Sequence, residues 1–101
     1  MSDLQTIRRV TVYADAVLEP ALIETFLQMG STGYTVISCR GKGEHATISD
    51  PFTATTQVRI ELLVQPPVAE KILAYLQSGQ FSSRAVAACI ETVQVAASER
   101  F

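Results

Sequence analysis

Twice along the chain the apolar pattern switches from a period of two to a helical period and back, and few topologies accommodate that switching. Ile7-Arg8-Arg9-Val10-Thr11-Val12-Tyr13-Ala14 alternates and is rich in β-branched residues, which predicts a strand over 7–14. Leu18, Leu22, Phe26 and Met29 then recur at helical spacing, with Ile23 and Leu27 widening the stripe. Pro20 suits the first turn of that helix and Gly30 the position just past its last. After a turn at Gly33, Tyr34 to Arg40 predicts a second strand. Thr56 to Val64 predicts a third, with Val58, Ile60, Leu62 and Val64 on one face. Pro66-Pro67 opens a second helix whose stripe is Val68, Ile72, Leu73 and Leu76, and Gly79 closes it. Ala87 to Ala96 alternates again as a fourth strand, though periodicity alone does not say which side faces the core. The order is β-α-β-β-α-β, a ferredoxin-like α+β domain: a four-stranded antiparallel sheet with both helices on one face. One domain over 1–101 is expected.

Composition narrows the chemistry. Apolar residues make up 48% of the 101 and charged residues 18%, too apolar for intrinsic disorder. Eight Lys plus Arg against ten Asp plus Glu leave a net charge of −2, without the basic excess that carries non-specific nucleic-acid binding. No apolar run approaches the roughly 18–20 residues of a membrane span. The first nine residues carry no apolar stretch after a basic segment, so no secretory signal is predicted and a cytoplasmic location is expected. Cys39 and Cys89 stand fifty positions apart with no Cys-x-x-Cys pair, and read as reduced, semi-buried strand residues. With His45 as the other soft ligand, they make no zinc set.

Two helices cover one side of such a sheet. The other side receives Arg9, Thr11 and Tyr13 from the first strand and Gln57, Arg59, Glu61 and Leu63 from the third. That mixture suits either a solvated antiparallel face or burial against further copies of the chain. The segment 41–55 holds two glycines, Ser49-Asp50-Pro51 and little periodicity, which predicts a loop of about fifteen residues where a hairpin turn would suffice; loops of that length usually serve binding.

Catalytic constellations are missing from the pattern. The acidic residues Asp15, Glu19, Glu24, Glu70 and Glu91 are scattered, and His45 has no nucleophile at a recognisable spacing. Ser82-Ser83 before Arg84 reads as a turn. Tyr13, Tyr34 and Phe52 have the rings for base stacking, yet the basic-aromatic-glycine pattern of RNA-binding strands is absent. What stands out is Gly33-Tyr34-Thr35-Val36 followed by Arg40-Gly41-Lys42-Gly43. Glycines let the backbone approach a phosphate, consecutive N–H groups in such a turn form an anion nest, and Arg40 and Lys42 add positive charge. No Walker sequence is present.

In this order and spacing, Gly33-Tyr34-Thr35-Val36, Gly41-Lys42-Gly43 and Val58-Arg59-Ile60-Glu61-Leu62-Leu63-Val64 resemble the PII signal-transduction superfamily over roughly residues 7–96. Gln80-Phe81-Ser82-Ser83 stands where longer members carry a second glycine-rich phosphate loop, which brings the chain nearest the short PII-like branch of SbtB-like and carboxysome-associated proteins. The resemblance implies a non-enzymatic regulator: a homotrimer with an adenine nucleotide, ADP or AMP, at each seam between subunits. Tyr34, Thr35 and Val36 would meet the adenine end, Leu62 and Leu63 would wall the base, and Arg59 would face the cleft or the trimer interior. Gly41, Lys42 and Gly43 would approach the phosphates, and the neighbouring subunit would add Phe81 and Arg84. Bicarbonate is implied as a second ligand, with Gly41, Lys42 and His45 nearest. The 41–55 segment would be the signalling T-loop, and a bicarbonate transporter or a carboxysome-related protein its partner. Two other readings of the residues stay open. One is a CutA-like metal-binding trimer using His45 or Cys39, the other a small ferredoxin-like enzyme working on the open face.

Overall fold

The computed structural model describes residues 4–40, 56–78 and 86–96. Strand β1 (Gln5–Asp15) leads through a single 3₁₀ turn (Ala16–Leu18) into helix α1 (Glu19–Gln28), and strand β2 (Thr35–Cys39) follows. Strand β3 (Gln57–Val64), helix α2 (Pro66–Leu76) and strand β4 (Val86–Val95) repeat the unit. The strands lie in the order β2-β3-β1-β4 and every neighbouring pair is antiparallel, so the expected ferredoxin-like α+β topology is the one found. Segments 41–55 and 79–85, with the expected T-loop and Phe81 and Arg84, lie outside the described residues.

Register follows from alternation. Val10 pairs with Leu62, Val12 with Ile60 and Ala14 with Val58, which stacks six apolar side chains on the side the helices cover. A slip of one residue would bring Arg9, Arg59 and Glu61 into that layer, so the register is tightly specified. Leu22 and Phe26 of α1 and Ala69 and Ile72 of α2 close the core from above. Fully burying a side chain the size of Phe26 or Ile72 contributes about 1.5–3 kcal/mol.

The helix ends are built as the sequence implies. Pro20 stands in the first turn of α1 and Pro66-Pro67 in that of α2, where a missing N–H costs nothing. At the other end of α1, Gly30 has φ +117°, the Gly30 N–H donates to Leu27 C=O (3.2 Å) and the Ser31 N–H to Phe26 C=O (3.1 Å). This paired closure, with glycine at its turning point, is the Schellman arrangement.

Three details depart from expectation, and a fourth is one that periodicity leaves open. Leu27 does not widen the α1 stripe; it is 43% exposed, on the flank turned from the sheet. Ala69, not among the expected apolar stripe, is fully buried, because a small residue lets α2 approach the sheet closely. Cys89 is exposed on the edge strand rather than semi-buried, while Cys39 is half-buried; both are free thiols. The pairing of Val86 with Ala14 and of Ile90 with Val10 settles β4: its even-numbered residues lie on the helix side. Among the described residues no helix is long and apolar enough to cross a membrane.

Candidate functional site

The side of the sheet without helices carries cross-strand rows. One runs Thr35, Glu61, Thr11, Cys89 across β2, β3, β1 and β4, and the next runs Ile37, Arg59, Tyr13, Ala87. Leu63 and Arg9 sit opposite each other one step beyond the first row, and Glu91 faces Arg9 on β4. Thr11 is buried beneath these longer side chains, and Ile7 is buried further along β1 with the same parity.

At the start of β2 this face sinks into a hollow of about 370 Å³. Arg9 lines it from β1, Glu61 and Leu63 from β3, and Thr32, Gly33, Tyr34 and Thr35 from the approach to β2. Local chemistry fixes that approach: once α1 has been closed at Gly30, the Ser31 hydroxyl donates to the Gly33 carbonyl at 2.6 Å, which satisfies a buried serine and turns the chain into the strand. Gly33 has a further property. A Cβ built on it would meet no atom within 4 Å, and its φ is not positive. Neither strain nor crowding within this chain calls for glycine there, whereas close approach by something outside the chain would.

Charge on the hollow's rim is balanced. Arg9 Nε donates to Glu91 Oε1 at 3.1 Å and its Nη2 lies 3.0 Å from the same oxygen. Arg59 Nε lies 3.3 Å from Glu61 Oε2, an ion pair that lacks hydrogen-bond geometry. All four side chains are partly exposed, so each pair contributes at most about 1 kcal/mol to stability. Chemically, the hollow offers a guanidinium donor, a carboxylate acceptor, threonine side chains and two apolar walls, Leu63 and Tyr34, with no net charge. That set suits a flat, uncharged, heteroatom-rich body better than a bare ion. Among the described residues no three His, Cys, Asp or Glu side chains converge as a metal site would require.

The expected site residues divide accordingly. Tyr34, Thr35 and Leu63 line the hollow. Arg59 sits one pair further along β3, bound to Glu61. Val36 pairs with Ile60 and packs against the core cluster, so only its backbone belongs to the open edge. Leu62 is corrected: it is fully buried under the helices, and alternation gives the wall of the hollow to Leu63 alone. Gly41, Lys42, Gly43 and His45 lie outside the described residues, as do Phe81 and Arg84. Arg9 and Glu61 also line the hollow and are not among the expected residues, although their parity with Thr11 and Leu63 already puts them on the open face.

Residues 7–100 match the family model of the nitrogen regulatory protein P-II. The chain belongs to the P-II family. A PII-like signalling protein of Thermus thermophilus is 34% identical, with 100% of this chain and 99% of that one covered and a TM-score of 0.81. CPII of Thiomonas intermedia, a nitrogen regulatory PII-like protein, shares the fold. Its complex with ADP and bicarbonate superposes with a TM-score of 0.84 at 17% identity, covering 100% and 99% of the two chains. Its complex with ADP, AMP and acetate gives 0.81 at 18% identity, covering 98% and 97%. No curated protein sequence matches. Membership of P-II places the chain among signalling regulators, which are generally not enzymes.

Proposed function

We propose that this P-II protein is a cytoplasmic, non-enzymatic regulator that binds ADP or AMP between the subunits of a homotrimer and reports energy or inorganic-carbon status through its 41–55 T-loop. The observation that carries the reading is the neutral hollow with Gly33 on its wall, a glycine that nothing in its own chain explains. An adenine ring would lie against Leu63 and Tyr34 with Thr35 at its edge, the backbone at Gly33 and Val36 leaving room for it. CPII, which has the same fold, binds ADP and AMP.

Strand length favours a site shared between copies. Thr35 and Arg40 are five residues apart on an extended strand, roughly 17 Å at about 3.3 Å per residue. One chain thus offers its base-sized hollow at one end of β2, and the expected Arg40-Gly41-Lys42-Gly43 turn follows the other end in sequence. A nucleotide compact enough to fill the hollow would then take its phosphate contacts from the Gly41, Lys42 and Gly43 of a neighbouring copy, where the family resemblance implies those of the same chain, with Phe81 and Arg84 closing over it at the seam. Arg59 stays on the face that the copies share. Bicarbonate, which CPII also binds, would sit beside the phosphates near Gly41, Lys42 and His45. Ligand-dependent ordering of the T-loop would set whether it engages its partner, a bicarbonate transporter or a carboxysome-related protein, with the population shifted by differential affinity.

Titration calorimetry with ADP, AMP and ATP, with and without bicarbonate, tests this. Micromolar to millimolar adenylate binding is expected. Gly33→Ala and Thr35→Ala should weaken it while leaving the melting temperature unchanged, and Lys42→Ala should weaken it through the phosphates. Absence of binding to any adenylate at millimolar concentration would overturn the proposal.

A further inference from the structure

Arg9 stands at the junction of two environments. On one flank it meets Glu91, its direct partner across β1 and β4, and both contacts fall on a single carboxylate oxygen, at 3.0 and 3.1 Å. On the other flank it lines the hollow, beside Leu63 and within one row of Glu61. A guanidinium carries more N–H donors than the Glu91 contacts use, in a rigid planar fork, so it can be held on one side and still donate on the other. Glu61 offers the complementary group: ionised, a carboxylate only accepts.

We propose that Arg9, braced by Glu91, reads the edge of the bound base, donating to a purine ring nitrogen while Glu61 accepts from the exocyclic amino group. This rests on the nucleotide reading above and adds to it the origin of base choice. The edge of adenine that carries N6 and N7 shows a donor beside an acceptor, which matches Glu61 beside Arg9. The same edge of guanine shows two acceptors and sets its O6 against the Glu61 carboxylate. A site built for a hydrogen-bonding group rejects an analogue that leaves its buried partners unpaired. Glu61 is thus the specificity residue, Arg9 anchors the ring nitrogen that both purines share, and Glu91, which does not line the hollow, is a positioning residue acting through Arg9.

The experiment compares ADP and GDP affinities by calorimetry for the wild type, Arg9→Ala, Arg9→Lys, Glu91→Ala and Glu61→Gln, with melting curves as a folding control. Wild type should prefer ADP. Arg9→Ala should lose about tenfold to a hundredfold in ADP affinity, the scale of a hydrogen bond to a charged group. Arg9→Lys should fail to restore it, because an ammonium cannot hold Glu91 and a ring nitrogen in one plane. Glu91→Ala should reduce ADP affinity less than Arg9→Ala does, with the melting temperature unchanged. Glu61→Gln, whose amide can donate to O6, should lose most of the ADP over GDP preference. Wild type that binds ADP, with Arg9→Ala keeping its affinity or Glu61→Gln its preference, overturns this inference and leaves the nucleotide reading standing. Wild type that binds no adenylate overturns both.

Discussion

Leu62 and Leu63 are adjacent, chemically identical, and placed on opposite sides of β3. Leu62 is fully buried among Val10, Ile60 and the helices, whereas Leu63 lines the hollow. Their truncations should separate stability from binding. Leu62→Ala removes packed methyl groups from a core that cannot collapse around the loss, and should cost about 2–5 kcal/mol in urea unfolding. Leu63→Ala, at a half-buried position, should cost about 1 kcal/mol or less, yet weaken ADP in calorimetry. Equal destabilisation by both would contradict the register. The separation is legible in the sequence, since Val58, Ile60, Leu62 and Val64 share one parity and Leu63 the other. Resemblance to a family blurs it, because a matched motif carries neighbouring residues together whichever way their side chains point.

Elements were more legible than their edges. Two helices and four strands follow from the change of period, and Pro20, Pro66 and Gly30 mark ends that local backbone chemistry dictates. Leu27 and Ala69 were harder because a helical stripe is wider than the strip that touches a sheet, and only docking decides its margins. The hollow was hardest: Arg9, Gly33 and Glu61 are far apart in sequence and meet only through the pairing of β1 with β3 and of β3 with β2. Gly30 offers a test at this scale. A Cβ there would adopt φ +117° and press against Val68 Cγ2 at 3.2 Å, so Gly30→Ala should cost about 1–3 kcal/mol, with an unchanged urea m-value. Trimming the neighbour in Gly30→Ala/Val68→Ala removes the contact but not the backbone strain, so the double variant should stay below Val68→Ala alone. A Gly30→Ala chain as stable as wild type would mean that the helix closes in another way.

Over the whole molecule, the open face is the surface that the proposed assembly would cover. A domain of about 100 residues hides only some 60–65% of its unfolded surface, yet Tyr13, Ile37 and Tyr34 remain exposed on or beside the uncovered sheet while Ile7 and Thr11 are already buried in it. Putting a charge into the Ile37-Arg59-Tyr13 row should therefore act on assembly rather than on folding. Ile37→Glu should keep the wild-type far-ultraviolet circular dichroism but sediment as a smaller species at low concentration. If each nucleotide bridges the hollow of one copy and the glycine turn of the next, ADP binds only where copies meet, and linkage makes the reverse true: ADP must drive assembly by the same free energy. At about 100 times its dissociation constant that amounts to roughly 2.7 kcal/mol per site. Saturating ADP should thus return Ile37→Glu towards the wild-type sedimentation coefficient, and the wild-type melting temperature should rise both with protein concentration and, at fixed protein concentration, with ADP. An Ile37→Glu protomer that binds ADP with full affinity and stays a protomer would place the whole nucleotide on one chain, and the strand-length argument for a shared seam would fail with it.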